Sequence, residues 1–161
     1  METEEPPSPA DYEKNYVDQW QLTIYQNKKI GRYLTALTII PRGKVVLSLA
    51  PVKILPVSKV KDFNRVLQVS PTLYSSSESE TDFNNFLCHS CEPACDLSIH
   101  DDYTIEIIAN RDIQPEEPIT IDYNFTEEDM VAQGVDFECE CQTSSCKGWI
   151  RGKKYLQEQS P

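Results

Sequence analysis

Three closely spaced cysteines near the C-terminus, Cys139, Cys141 and Cys146, carry the clearest chemical signal in this sequence. Two cysteines one residue apart rarely bridge each other, whereas a C-x-C-x4-C spacing lets three thiolates converge on one tetrahedral Zn²⁺. A tetrahedral site needs a fourth ligand from upstream. The upstream candidates are His89, His100, Cys88, Cys91 and Cys95. Because the cysteines number six, a disulfide framework is the alternative.

The start of the chain favours a reducing compartment. Residues 1–9 are rich in Glu and Pro, and they lack the basic and apolar regions of a secretory signal peptide. No apolar run approaches the ~20 residues that a membrane-spanning helix needs. We therefore expect an intracellular protein of the cytoplasm or nucleus, with no membrane partner, whose thiols stay reduced and available to zinc.

The excess of acidic over basic residues limits the classes of molecule that this protein is expected to bind. The formal net charge is −11, so direct nucleic-acid binding, which needs Lys and Arg to neutralise phosphates, is not expected. An acidic surface instead attracts cationic partners such as lysine-rich peptides, although the same charge also serves ordinary solubility. With 161 residues, of which 39% are hydrophobic, the chain suits one compact domain.

The residue pattern predicts a mainly β protein of short strands joined by turns. Alternating apolar residues predict strands at 20–25 and 103–108, and a Val/Leu-rich strand follows the turn at 41–43. The plan of residues 38–49 recurs at 110–123, where a Pro-containing turn again leads into a β-rich segment. Residues 74–80 are polar and predict a loop.

Helices are predicted only near the C-terminus. Thr126 is followed by acidic residues and resembles an N-cap with an acidic first turn, and Gly134 is a suitable helix stop. Residues 151–158 predict one or two further helical turns.

Three motifs, taken in order, resemble one protein family. Cys88-His-Ser-Cys-Glu-Pro93, Pro118-Ile-Thr-Ile-Asp-Tyr-Asn124 and Cys139-Glu-Cys-x4-Cys146-Lys-Gly148 are similar to the core and post-SET cap of SET-domain protein-lysine methyltransferases. Residues 29–36 resemble the cofactor loop of that family. The resemblance covers about residues 20–156 and implies a SET fold of several small sheets, few short helices and a C-terminal zinc cap. It divides the chain into a flexible acidic tail (1–15), a SET core (16–126) and a post-SET zinc cap with the C-terminal tail (127–161).

The resemblance implies a role for each matching residue. In post-SET proteins the cysteine at the position of Cys91 completes the zinc site, so the implied structural ligands are Cys91, Cys139, Cys141 and Cys146. Tyr123 matches the tyrosine whose hydroxyl lies between the methyl group of S-adenosylmethionine and the substrate nitrogen, where it aligns an in-line displacement. The residues implied to bind this cofactor are Gly31, Arg32, Tyr33, Cys88, His89 and Trp149.

The sequence departs from the family pattern on the cofactor side. Tyr33 stands where the second glycine of the loop is expected, so a ring replaces the hydrogen that lets backbone approach the cofactor. Cys88 stands where the family has an asparagine, and a thiol cannot supply the paired donor and acceptor of an amide. Ala94 and Pro118 also replace residues that make polar contacts in the family pattern.

The family resemblance implies an S-adenosylmethionine-dependent lysine N-methyltransferase that acts on a protein, with a histone-like tail as one candidate substrate. Two alternatives follow from the altered cofactor motifs. One is a SET-fold enzyme that does not methylate and transforms a small molecule, for example a cyclase. The other is a zinc-stapled binding module without catalysis.

Overall fold

The computed structural model describes the backbone of residues 2–4 and, further along, residues 19–76 and 83–156. Most of the predicted tail (1–15) lies outside the described residues, but Glu2–Glu4 form a strand within it. The end of the predicted C-terminal helix also lies outside the described residues. Among the residues described, no helix is long and apolar enough to cross a membrane.

Short strands dominate the described part of the chain, as the sequence predicts, and they form five small sheets. The strands are β1 (Glu2–Glu4), β2 (Leu22–Asn27), β3 (Gly31–Ala36), β4 (Val45–Leu49), β5 (Lys53–Pro56), β6 (Val66–Gln68), β7 (Leu73–Ser76), β8 (Cys88–His89), β9 (Cys95–Ile99), β10 (Ile105–Ala109), β11 (Thr120–Ile121), β12 (Phe137–Glu138) and β13 (Trp149–Ile150). In spatial order the sheets are β1-β2-β3, β4-β10-β9, β11-β8, β12-β13 and β5-β7-β6.

The helices are short. They are α1 (Tyr123–Thr126) and α2 (Met130–Gln133), with 3₁₀ turns at Val57–Lys59, Phe63–Arg65, Phe83–Phe86 and Lys153–Tyr155. Helices of this length have little stability of their own, so packing against the sheets must hold them in place.

The main core lies around the sheet β4-β10-β9. Strand β10 alternates between buried and half-exposed residues, as expected for a strand with one face on the core. The two sequence segments with a shared plan meet beside it, because Ile40 and Ile113 exchange two backbone hydrogen bonds of 2.9 Å and are both fully buried. The repeated plan therefore marks two segments that pair with each other.

Strands β8 and β11 form a parallel pair that positions the candidate site. Thr120 lies opposite Cys88 and Ile121 opposite His89, and the Ser90 amide continues the pairing by donating to the Ile121 carbonyl at 3.0 Å. This pairing places the motif at 88–93 directly beside the segment that leads into Tyr123, although the two are about thirty residues apart.

A second, smaller core holds the C-terminal cap. Met130, Cys139 and Ile150 are buried there, and Phe137 and Tyr123 pack against them. Tyr123 also packs against the main core, so its ring lies where the two cores meet.

The segment around Gly152 is held against α1 and against the turn that precedes α2. The Gly152 amide donates to the Asn124 side chain at 3.0 Å, and a Cβ on Gly152 would come within 2.7 Å of the Glu128 carbonyl oxygen. Gly152 also has a φ of +110°, which L side chains rarely adopt. Both the close approach and the backbone angle therefore require glycine here.

Two sequence predictions are wrong in detail. Thr126 does not cap a helix that continues to Gly134: α1 ends at Thr126, and Asp129 caps α2 by accepting the Ala132 amide at 3.0 Å. Gly134 does terminate α2 in the left-handed conformation, as predicted. Tyr74 was assigned to a polar loop but lies on β7 and is buried, because its ring packs edge-on against Phe63.

Candidate functional site

Four cysteines form a compact cluster between the core and the cap. The sulfur atoms of Cys91, Cys139, Cys141 and Cys146 all lie within 4.8 Å of one another, and those of Cys91 and Cys139 are 3.9 Å apart. Four thiolates around one zinc at Zn–S distances near 2.3 Å stand about 3.8 Å from each other. The cluster therefore has the composition and size of a closed structural zinc site.

Backbone amides already point at two of these sulfurs. The Lys147 amide donates to Cys91 at 3.3 Å and the Cys141 amide donates to Cys139 at 3.4 Å. Such contacts stabilise thiolate charge and orient the ligands around a metal. The remaining cysteines lie elsewhere, with Cys95 buried in β9, and all six thiols are free. The convergence of four of the six sulfurs on one point favours the metal site over the disulfide alternative.

The Tyr123 hydroxyl is directed toward the motif at 88–93. It donates a hydrogen bond of 2.5 Å to the Leu87 carbonyl oxygen, and burial raises the pKa of the phenol above its ordinary value. The rings of His89 and Phe137 lie 5.3 and 6.0 Å from the Tyr123 ring. This tyrosine is consequently a protonated, fixed hydrogen-bonding group rather than a mobile surface residue.

His89 connects Tyr123 to the cysteine cluster. Its Nδ1 accepts the Tyr123 backbone amide at 3.1 Å, so the ring proton of the neutral imidazole is on Nε2, which lies 3.3 Å from the Cys91 sulfur. Burial lowers the pKa of His89 to about 4. The 3.7 Å approach of Asp122 to Nδ1 is therefore not an ion pair at neutral pH.

The segment predicted to bind a cofactor meets the motif strand at Cys88. The Cys88 thiol lies 3.9 Å from the Arg32 carbonyl oxygen and 3.7 Å from that of Phe86. Burial raises its pKa to about 11, so it is a neutral thiol and not a nucleophile at neutral pH. Tyr33 is 1% exposed, and its ring packs edge-on against Tyr25 at 6.2 Å.

A residue of the cap also contacts the segment at 29–36. The Lys29 ammonium, just before Gly31, donates to the Gln142 side chain between two of the clustered cysteines. Trp149 is 40% exposed, and its indole nitrogen donates to Asp136 at 2.9 Å. Lys29 thus joins the predicted cofactor loop to the cap, while Trp149 is anchored at the surface of the cap.

The family profile of the SET domain matches residues 31–124, which include the loop, the motif at 88–93 and Tyr123. The chain belongs to the SET-domain family.

Three histone-lysine N-methyltransferases are similar in sequence. Set2 of Drosophila melanogaster is 24% identical over 148 residues, covering 83% of this chain and 6% of that protein. ASHR3 of Arabidopsis thaliana is 32% identical over 74 residues, covering 44% and 14%. The protein ash1 of Drosophila melanogaster is 35% identical over 71 residues, covering 42% and 3%. The chain therefore spans only a small part of each relative's length.

A solved structure shares the fold. The crystal structure of KRYPTONITE in complex with mCHG DNA and SAH gives a TM-score of 0.66 at 22% identity, covering 82% of this chain and 29% of that chain. At this identity the similarity establishes the fold alone. The mainly β SET fold predicted from the motifs is thereby confirmed.

Residues of α1 contribute to the lining of two cavities of this SET domain. The first, here called the Tyr123 pocket, has a volume of about 100 Å³ and is lined by Leu67, Leu87, Tyr123, Glu127, Met130 and Phe137, among others. The second, here called the outer groove, has a volume of about 500 Å³ and is lined by Pro71, Asp96, Asp122, Phe125, Glu128 and Lys153, among others. Thr126 lines both cavities.

Sequence reasoning missed Glu127, which lines the Tyr123 pocket. It is 6% exposed, and its Oε2 accepts the Gln68 backbone amide at 3.0 Å. The Gln68 side chain in turn accepts the Glu128 amide at 2.8 Å, which fixes the backbone of this turn. In the sequence Glu127 belongs to an acidic run that predicts a solvated helix start, so no residue pattern distinguishes it from its exposed neighbours.

Proposed function

We propose that this SET domain is a protein-lysine N-methyltransferase that uses S-adenosylmethionine and acts inside the cell. The observation that supports this most directly is the setting of Tyr123. Its hydroxyl is fixed by a hydrogen bond to the Leu87 carbonyl and its side chain lines the Tyr123 pocket. Its backbone is tied through His89 to the cysteine cluster, and its motif ends the matched domain. A fixed phenol beside a narrow pocket is suited to align a substrate nitrogen.

The outer groove fits a basic peptide as the substrate. Asp96, Asp122 and Glu128 give it three carboxylates against one lysine, Lys153, and the exposed ring of Phe125 supplies apolar contact. Lysine-rich segments are attracted to such a surface. Thr126 lines both the groove and the Tyr123 pocket, and we propose that a peptide lying in the groove directs one lysine side chain past Thr126 toward Tyr123.

The cofactor supplies a methyl group carried on a positively charged sulfur when it is bound. The residues proposed to hold it are Gly31, Arg32, Tyr33, Cys88, His89 and Trp149. Space is available for close backbone approach, since a Cβ built on Gly31 or on Gly148 meets no atom within 4 Å. The buried ring of Tyr33 and the thiol of Cys88 make this side of the domain less polar than the family pattern, so we expect weak cofactor binding.

Zinc is proposed to be held by Cys91, Cys139, Cys141 and Cys146, with no open position for a substrate. Its role is structural, because the cluster joins the motif strand to the cap, and the cap carries Phe137 against Tyr123.

The test is to incubate zinc-loaded protein with tritiated S-adenosylmethionine and either histones or lysine-rich peptides. Transfer of tritium to lysine by the wild type, but not by Tyr123→Phe, supports the proposal. Equal transfer by both proteins contradicts the role of Tyr123. Failure of the wild type to label any peptide contradicts the methyltransferase assignment.

A second candidate function, a SET-fold enzyme acting on a small molecule without methylation, is favoured by the fully buried Tyr33. Calorimetric titration of S-adenosylmethionine into zinc-loaded protein separates the two. Absence of binding, together with conversion of a compound in a small-molecule extract of the source cell, supports the second candidate over the first.

A further inference from the structure

The Tyr123 pocket combines apolar walls with one acidic side chain. Leu67, Leu87, Met130 and Phe137 are among the residues that form the walls, and Glu127 lines the same space. Its volume of about 100 Å³ is several times the ~10–15 Å³ that one water needs. The pocket is therefore large enough for a slender chain, and its lining carries one carboxylate, Glu127, and one guanidinium, Arg65.

The carboxyl group of Glu127 is incompletely satisfied. Its Oε2 accepts the Gln68 amide, whereas Oε1 is buried and has no hydrogen-bond partner among the described residues. Buried polar atoms are nearly always paired in native proteins, and an unpaired one needs an explanation. A missing ligand that donates hydrogen bonds explains this one.

The pocket selects the chemistry of that ligand. Arg65 pairs with Asp62 at 3.4 Å, whereas Oε1 of Glu127 has no donor within the described part of the chain. Apolar walls beside such a carboxylate fit a side chain that has an aliphatic stem and a cationic tip, which is the architecture of lysine. An ammonium group would supply both the donor that Oε1 lacks and the opposite charge that an apolar setting demands.

We propose that Glu127 is a catalytic residue of this SET domain, which pairs with the ammonium group of the incoming lysine and accepts the proton that the nitrogen must lose. The inference rests on the proposed function and names the group that prepares its substrate. Tyr123, which lines the same pocket, then holds the neutral nitrogen in line.

The proton transfer is balanced within the pocket. One N–H bond of the ammonium breaks, an O–H bond forms at Oε1 of Glu127, and the electron pair of the broken bond stays on nitrogen as the lone pair that can attack. A cation and an anion become two neutral groups, so no net charge is created in an apolar space. Solvent takes the proton from Glu127 after the product leaves.

Burial makes this transfer easier, because it raises the pKa of Glu127 to about 7. The Gln68 amide lowers this pKa, as does the nearby Thr126 hydroxyl, which itself donates to the Tyr123 carbonyl oxygen at 3.3 Å. An alkylammonium with an ordinary pKa near 10.4 then differs from its acceptor by about 3 units, compared with about 6 for an exposed glutamate.

Neighbouring groups are less suited to accept the proton. The Nδ1 of His89 is occupied by the Tyr123 amide, and Cys88 and Tyr123 are protonated at neutral pH because burial raises both pKa values. Two further titratable side chains face this region. Arg65 lines the pocket, and burial together with the nearby Glu127 carboxylate raises the pKa of the Tyr74 phenol.

The first test measures binding without any methyl donor. Zinc-loaded wild type and Glu127→Gln are titrated with n-butylamine, which mimics the lysine stem, and with 1-butanol, its neutral counterpart, by ligand-observed NMR at pH 8. The glutamine keeps an acceptor for the Gln68 amide, so the fold is expected to persist. We expect butylamine to bind at least tenfold more weakly to Glu127→Gln, with butanol binding unchanged.

Two matched variants complete the binding test. Glu106→Gln removes a carboxylate on β10 whose partner is His100, and it should bind butylamine like the wild type. Glu127→Asp retains the charge and should recover part of the affinity. Equal butylamine affinity in wild type and Glu127→Gln would overturn the proposal.

The second test separates this inference from the proposed function. If the wild type methylates a lysine peptide, Glu127→Gln should lower kcat by about 10²-fold, and the rise of kcat with pH should move upward by at least one unit. Unchanged kcat and pH profile would overturn the proton-accepting role while leaving the methyltransferase intact. If the wild type methylates nothing, the proposed function and the proton transfer both fail. The butylamine titration alone then decides whether Glu127 pairs with an ammonium group.

Discussion

The cysteine cap and the proposed cofactor side of this SET domain differ in how closely they follow the family pattern. The three cap thiols and Cys91 all lie within 4.8 Å of one another. The cofactor side has Tyr33 and Cys88 where the family carries a glycine and an asparagine. A structural metal site depends on a few ligands at fixed distances and fails if one is lost, whereas a pocket can be reshaped residue by residue. The fold and the cysteine cluster therefore follow the family pattern, whereas the residues proposed to bind the cofactor depart from it.

Removing one ligand should disrupt the cap, which is the largest effect expected. Cys141→Ser leaves three thiols, so zinc should be lost together with the folding free energy that structural zinc supplies, which is on the order of 10 kcal/mol in small sites. Elemental analysis should find no zinc, and amide exchange should accelerate over residues 130–150 while β4, β9 and β10 stay protected. Cys88→Ser is the control and should retain one zinc per chain. A full zinc content in Cys141→Ser would remove the contrast between the two regions.

Burial of Glu127 in the Tyr123 pocket should lower the stability of the folded protein by an amount that depends on pH. Burial raises the pKa of Glu127 to about 7, so between about pH 4.3 and 7 the folded protein keeps a proton that the unfolded chain has released. Stability therefore falls as the pH rises through this window and levels off above it. Glu127→Gln has no such loss and should gain up to about 3 kcal/mol over the wild type between pH 4 and pH 8.

Urea unfolding of zinc-loaded proteins at pH 4.5, 6 and 8 checks this prediction. Other titrating groups are common to both proteins and cancel in the difference. Tyr74 and Tyr123, which face Glu127, keep their protons throughout because burial raises both pKa values. A difference that does not vary with pH would show that Glu127 is ordinarily solvated.

Removing the Tyr123 hydroxyl should have two separately measurable effects, one on the rate of catalysis and one on the free energy of unfolding. Tyr123→Phe is expected to lower any turnover by about 10²-fold, or about 2.7 kcal/mol of barrier, because an orienting group is removed. The hydroxyl is also bonded to the Leu87 carbonyl, so unfolding should become easier by about 1–3 kcal/mol. Single-turnover rates and urea midpoints measure the two effects. Zinc content should not change, and a loss of zinc would indicate that the ring has moved.

Restoring the family residues should have the smallest effect on function, and it addresses the altered region directly. Tyr33→Gly combined with Cys88→Asn is expected to tighten S-adenosylmethionine binding by about tenfold to a hundredfold, or ~1–3 kcal/mol, by relieving crowding and restoring an amide. Because Tyr33 is fully buried, the double variant should also lose about 3–5 kcal/mol of stability. Cys88→Asn alone serves as the control in calorimetry. Tight binding by the wild type would show that neither residue restricts the cofactor.

The sequence predicted those features that depend on local spacing or on strongly patterned strands. The C-x-C-x4-C motif fixes three ligands by itself, and the strands at 44–49 and 103–108 carry enough buried aliphatic residues to be found without a structure. The family and the fold are confirmed, while the domain boundaries and the roles of the site residues stay predictions.

Features that depend on contacts between residues far apart in the sequence could not be predicted. Tyr74 lies in a polar run, and its place on β7 depends on pairing with β5 and β6 and on the ring of Phe63. The start of α2 shifted from Thr126 to Asp129 because contacts from Gln68 and from the segment after Gly152 hold residues 127 and 128 outside the helix. Those same contacts bury Glu127, whose neighbours in sequence are hydrophilic.

The single imidazole between Tyr123 and Cys91 has a consequence for how this protein is assayed. One ring nitrogen accepts the Tyr123 amide and the other lies against a clustered sulfur, so metal occupancy and the alignment of the phenol are expected to change together in each molecule. A preparation that is half loaded with zinc should then behave as a mixture of active and inactive molecules. Its apparent kcat should scale with metal content while KM stays constant, and specific activity is best expressed per mole of zinc rather than per mole of chain.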